Sequence, residues 1–186
     1  MIEDIKTEEV TFVDKILNVP YFSQYIDVKS SIENALRACG MTCVYMALSF
    51  LGKVGENSLD EMVLSGMSEG GFSKSGWRHD YFVDIFQKAG LSSCRKENMR
   101  EKDVVDFVQS IDNGFPVVVS VERVLWDDRR FHMVLLTGFR KNNKGELEGF
   151  FYHDPGSLCP ESASHKFVPI STFYLSWRKM AIFPQK

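Results

Sequence analysis

The sequence predicts an α+β domain, and two observations carry that expectation. Between Gly40 and Gly114 apolar residues recur at helical spacing, punctuated by glycines. From Phe115 onward the chain turns to short β-branched runs separated by turn signals. Helices first and antiparallel strands after give helices packed on a sheet, not an alternating parallel fold.

Residues 1–16 read as a charged lead-in, and 17–186 as one domain. Leu17 to Phe22 is extended, because Pro20 removes a backbone donor and restricts its predecessor. A polar loop, Ser23 to Ala38, follows and carries Gln24. Val44, Ala47, Leu48 and Leu51 then fall at i, i+3, i+4 and i+7, one face of a helix that stops at Gly52. A second helix covers Leu59 to Leu64, and Gly66 to Gly76 reads as a flexible loop flanking, with Trp77, a groove. Tyr81, Val83, Ile85 and Phe86 mark a third helix ending at Gly90. Val104, Val105, Phe107, Val108 and Ile111 mark a fourth ending at Asn113-Gly114. Strands follow at Phe115 to Val121, Phe131 to Phe139, Leu147 to Tyr152 after the turn at Asn142-Gly145, and Met180 to Phe183.

A chain of 186 residues, 44% hydrophobic, can bury one sizeable core. Its net charge of −3 leaves no basic footprint for nucleic acid or an anionic membrane. Arg129-Arg130, Lys141 and Lys144 sit among acidic neighbours and read as solvated faces. No apolar stretch is long enough to span a bilayer, and the acidic start is the opposite of a secretory signal, so a cytoplasmic location is expected. Of the four cysteines, Cys39 and Cys43 stand one helical turn apart, a poor arrangement for a mutual disulfide. Their C-x₃-C spacing has no second paired half, so no metal or cofactor is expected. Cys43, Cys94 and Cys159 read as core fillers, and His79, His153 and His165 take surface or turn roles.

Cys39 opens the first helix, where the dipole and first-turn N–H groups favour a thiolate. His132 leads the second strand, and Asp154-Pro155 follows the third. Consecutive strands pair, which brings His132 and Asp154 together. A thiol beside an imidazole that a carboxylate orients is the equipment of covalent acyl transfer. Gln24, fifteen positions before Cys39, can supply a side-chain oxyanion donor beside the Cys39 backbone N–H. Singly each residue has an ordinary explanation: a core cysteine, a half-buried histidine, a turn aspartate, a loop glutamine. Their shared order, context and chemistry carry the expectation. His153 neighbours Asp154, but strand alternation puts the two on opposite faces, so one of them faces Cys39.

Val19-Pro20-Tyr21-Phe22-Ser23-Gln24 and Ala38-Cys39-Gly40 through Leu48 resemble the start of a bacteriocin-leader-processing cysteine peptidase domain. That family is the thirty-ninth of the cysteine peptidases and has a papain-like fold. Gly114-Phe115-Pro116-Val117 is similar to its G-x-P-V strand, His132 to Gly138 to its histidine strand, and His153-Asp154-Pro155-Gly156 to its D-P turn. Phe173 to Ile182, with Trp177, resembles its closing segment, so the resemblance spans residues 17–184. It implies a helical N-terminal lobe, a sheet carrying His132 and Asp154, and a peptide or protein substrate. Cys39 would be the nucleophile, His132 the base, Asp154 the orienting group and Gln24 the oxyanion donor. The double-glycine specificity of transporter-fused members is not carried over. The alternatives are an acyltransferase, amidase or isopeptidase with the same triad, or a silent peptide-binding module.

Overall fold

Strand β1 (Phe12–Ile16) lies in the stretch expected as a lead-in, and it is a paired strand. Its five residues are exposed, so no burial pattern marks it in the sequence. What holds it is long-range: Arg140 clamps Asp14 through two 2.7 Å hydrogen bonds and lies over the ring of Phe12. The computed structural model describes residues 11–122 and 131–186; the acidic start at residues 1–9 and Arg129-Arg130 lie outside the described residues.

The polar loop contains a short helix, α1 (Ile32–Arg37), started by Ser31, whose hydroxyl accepts from the Asn34 N–H. One residue later comes α2 (Cys39–Phe50), buried at Gly40 to Val44 and at Met46 to Leu48. A helix apolar on most sides belongs in the core. Helix α3 (Leu59–Ser68) begins in a Ser58–Glu61 capping box and runs past the expected end at Leu64. The Gly-rich stretch is therefore partly helix and partly a small hairpin, β2 (Phe72–Ser73) with β3 (Gly76–Trp77). Gly76, at φ +103°, supplies the turn conformation that other residues resist. Helix α4 (His79–Lys88) matches the third expected helix.

Strand β4 (Ser92–Lys96) was not legible, being short and largely polar. Helix α5 (Val105–Asp112) and strands β5 (Val117–Glu122), β6 (Phe131–Asn142) and β7 (Leu147–His153) fall where expected. The short α6 (Pro160–Ala163), β8 (Lys166–Pro169) and α7 (Ile170–Ser176) precede the last strand, β9 (Trp177–Gln185). Helix α7 defeats local propensity: its Thr172, Phe173 and Tyr174 favour strands, yet Phe173 is pulled into the core.

The main sheet is antiparallel in the order β4-β9-β5-β6-β7-β8, with β1 also on β6. Helix α2 packs across β6. Elsewhere Phe107 of α5 meets Phe150, Phe173, Trp177 and Phe183, rings from β7, α7 and β9. Full burial of each such ring is worth about 1.5–3 kcal/mol. Cys43 is buried as expected, but Cys94 is half-buried and Cys159 exposed, so neither fills the core. Among the described residues no helix is long and apolar enough to cross a membrane.

Candidate active site

The Ala38 cap of α2 makes no side-chain hydrogen bond, so the helix opens on Cys39 with no hydroxyl or carboxylate against its first-turn N–H groups. That leaves the positive end of the helix to the thiol itself. Two contacts fix the turn ahead of it. Gln24 Nε2 donates to the Ala35 carbonyl at 2.7 Å, and Trp77 Nε1 donates to the Arg37 carbonyl at 2.6 Å.

Gly40 sets how closely α2 approaches its neighbours. A Cβ there would stand 2.6 Å from the Phe82 ring and 2.8 Å from Met133 Sδ, and Phe82 is fully buried. Gly40→Ala gains about 1 kcal/mol in helix propensity but overpacks this contact by about 1–3 kcal/mol. The expected result is a lower urea midpoint and slower alkylation of a displaced Cys39.

His132 is 6% exposed and gives Nε2 to Asp154 Oδ1 at 2.7 Å. Its other ring nitrogen, Nδ1, is left over, and the Cys39 thiol is near enough that thiol and imidazole shift one another's titration. Asp154 stands just beyond β7, whose last residue, His153, is opposite Leu135 of β6. The Gly156 N–H donates to Asp154 Oδ1 at 2.9 Å, and Lys166 Nζ is 3.9 Å from Oδ2. The expected pairing of strands thus brings imidazole and carboxylate together, and the helix start adds the thiol.

The charges follow from these contacts. Burial pushes the Cys39 thiol up, but the His132 hydrogen bond and charge, with the Met133 and Gly40 backbone, bring it below the ordinary thiol range. Burial opposes the imidazolium of His132, yet Asp154 and the thiolate raise it to about 9. Burial also opposes the Asp154 carboxylate; His132, the Gly156 N–H and the Lys166 charge hold it below its usual range. Cys43, one turn behind, is pushed far up by burial and the Cys39 charge, so it stays a thiol. The same contacts favour the charged form of each partner, thiolate and imidazolium, over what the free groups show.

Gln24 is buried, and its backbone N–H donates to the Pro155 carbonyl at 2.9 Å. One Nε2 hydrogen serves Ala35 and the second remains to be used, while Oε1 has no partner among the described residues. A cavity of about 560 Å³ borders His132 and Asp154, its apolar walls including Val134, Leu136, Tyr152 and Leu175 and its polar ones Glu122 and Lys166.

Two contacts of Asp154 lay beyond sequence reasoning. Tyr21 donates its hydroxyl to the Asp154 carbonyl at 2.9 Å; it sits in the block that carries Gln24, so position was its one signal. Lys166 comes from β8, which no pattern announced. His153 corrects the surface or turn role expected of it: it is wholly buried. Burial holds its ring neutral down to about 4, with the His165 charge acting in the same direction.

That burial predicts acid sensitivity. Between the ordinary 6.5 and about 4, the unfolded chain binds a proton that folded His153 refuses, so stability falls as pH falls. The loss from this ring is about 3 kcal/mol. His79 and His165, also lowered by burial, add to the same slope. Urea midpoints should decline from pH 7 to 4.5, and less steeply in His153→Gln.

This architecture is the papain-like α+β fold. A family profile described as "Peptidase_C39 like family" matches residues 16–182, and the chain belongs to that family. Among solved structures it is similar to a C39-like peptidase from Bacillus anthracis (TM-score 0.65, 16% identity, 94% of this chain and 98% of that one). It is also similar to a double glycine motif protease from an AMS/PCAT transporter in complex with the leader peptide (0.57, 14%, 92% and 94%). The peptidase domain of Streptococcus ComA, a bi-functional ABC transporter, is similar as well (0.54, 17%, 81% and 92%). Among curated proteins, no sequence matches this chain.

Proposed function

We propose that this chain is a cysteine peptidase that hydrolyses a peptide bond through a thioester on Cys39. The observation that carries the reading is the 2.7 Å His132–Asp154 hydrogen bond, with the Cys39 thiol near enough to His132 to couple to its charge. Cys39 thiolate attacks the scissile carbonyl carbon, forming a C–S bond and an oxyanion. The Cys39 backbone N–H and the second hydrogen of Gln24 Nε2 receive that oxyanion. The His132 imidazolium passes its proton to the amide nitrogen, the C–N bond breaks and the amine leaves. The now neutral His132 takes a proton from water, whose oxygen attacks the thioester; carboxylate product leaves and the thiolate returns. Asp154 holds the ring and stabilises its charged form without itself taking the proton.

A peptide or protein is the substrate class that suits the reading, with the cavity beside His132 and Asp154 receiving apolar residues that flank the scissile bond. The fold's likeness to a protease solved with a leader peptide supports a peptide ligand.

Intact-mass labelling with iodoacetamide across pH tests the reading on wild type, Cys39→Ala and His132→Ala. One fast adduct well below pH 8 is expected in wild type, absent in Cys39→Ala and slowed about tenfold or more in His132→Ala. Labelling shared evenly among the four thiols would overturn it.

A further inference from the structure

His153 is a fully buried histidine with both ring nitrogens committed to backbone groups of other segments. Nε2 lies 2.9 Å from the Val19 carbonyl, and Nδ1 accepts the His165 N–H at 2.9 Å. A carbonyl can only accept and an N–H can only donate, so the pair of bonds fixes one tautomer, with the proton on Nε2. The ring also stands edge-on to Tyr21 at 5.6 Å and to His165 at 4.4 Å. His165 itself is held at φ +48°, a left-handed conformation that a non-glycine residue keeps only where its surroundings dictate it.

The segments so joined are the two that bring Gln24 and Asp154 to the site. Val19 begins the run that reaches Gln24, and His153 directly precedes Asp154. Further contacts continue the seam: Tyr21 to the Asp154 carbonyl at 2.9 Å, Gln24 N–H to the Pro155 carbonyl at 2.9 Å, and Ser23 to the Ser157 carbonyl at 2.6 Å. In these three the entry segment reaches toward the turn. His153 is the side chain that reaches back, from beneath and out of water.

We propose that His153 is a positioning residue of this site: its ring, bonded to the Val19 carbonyl and the His165 amide, locks the segment carrying Gln24 to the turn carrying Asp154. It touches neither the thiol nor the reacting atoms. It sets the spacing between the oxyanion donor and the group that orients His132, so its loss lowers turnover more than it weakens binding. The inference rests on the peptidase reading for the roles of Gln24 and Asp154.

The probe is p-nitrophenyl acetate. Cys39 attacks its acetyl carbon, p-nitrophenolate leaves, and water hydrolyses the thioester to acetate. The burst of nitrophenolate counts active thiols, so turnover is read per active site and not per milligram. Cys39→Ala, expected to lose the burst, tests the underlying reading separately. His153→Phe keeps a ring without either hydrogen bond; kcat per active thiol should fall 10- to 100-fold with KM moved less than threefold. His153→Gln places an amide nitrogen near the Nε2 position and should recover at least half of the lost turnover on a logarithmic scale. Should His153→Phe fail to fold, His153→Asn, polar but too short to reach Val19, takes its place. In wild type, ¹⁵N shifts should show His153 protonated at Nε2 and bare at Nδ1. An unchanged kcat per active thiol in His153→Phe, Gln recovering no better than Phe, or the opposite tautomer would each overturn the proposal, while a wild-type burst kept in Cys39→Ala would overturn the reading beneath it.

Discussion

Cys39→Ala should abolish peptide hydrolysis, lowering turnover by roughly 10⁴-fold or more, while the protein stays folded. The size of the effect follows from the route. Without the sulfur there is no thioester, and His132 with the oxyanion donors can only assist a direct attack by water. The fold should tolerate the change because Cys39 is half-buried at a helix start and alanine is a good helix former. His132→Ala should lose a similar amount, since the thiol loses the partner that brings it below its usual range. The double variant should be little worse than either single one, because residues acting as a unit are not additive. The measurement is the initial rate on a peptide that wild type cleaves, with urea unfolding to verify the fold. Turnover within tenfold of wild type in Cys39→Ala would exclude thiol chemistry.

The sequence made the four residues of the proposed site legible for reasons that belong to each. Cys39 stood at the junction of a polar stretch and a helical pattern, and the helix does begin there. His132 lay on one strand run and Asp154 just past the next, and consecutive runs pair. Gln24 was marked only by its position ahead of Cys39 and by the resemblance, and its burial against the Ala35 carbonyl could not be read from composition. What stayed hidden depends on distant partners. Strand β1 exists because Arg140 reaches Asp14, and β8 because Gly149 lets its strand meet the Val168 carbonyl closely. His153 was misread because a histidine next to a D-P turn has the local signature of an exposed loop. Only the tertiary path of Val19 and His165 makes it a buried joint.

The proton inventory of the pair has a consequence for stability. Thiolate with imidazolium holds one proton; an unfolded thiol with neutral imidazole, between pH 6.5 and 9, also holds one. His132 alone, raised to about 9, would give stability that is full below 6.5 and lost as pH rises to 9. Cys39, lowered from the ordinary thiol value, gives a slope of the opposite sign just below that value. The two slopes oppose one another, so the coupled pair makes the fold less sensitive to alkali than His132 alone would.

Asp154→Asn should separate the carboxylate's charge from its geometry. An amide oxygen can still accept the 2.9 Å bond from the Gly156 N–H and the bond from His132 Nε2, so the ring keeps its orientation. What is lost is the negative charge that helps raise His132 to about 9 against its burial. The imidazolium then gives up its proton at lower pH, and the thiolate loses its counter-charge with it. The alkaline limb of kcat/KM, expected near pH 9 in wild type, should move toward the ordinary imidazole value of 6.5. Turnover at neutral pH should fall by roughly 10²-fold. Asp154→Ala removes charge and orientation together and should fall further, to roughly 10³–10⁴-fold, since the buried Nε2–H is left without its acceptor. Profiles of kcat/KM from pH 5 to 10 on the three proteins decide the matter. An alkaline limb that stays near 9 in Asp154→Asn would assign that limb to a group other than His132 and take from Asp154 its electrostatic part in the site.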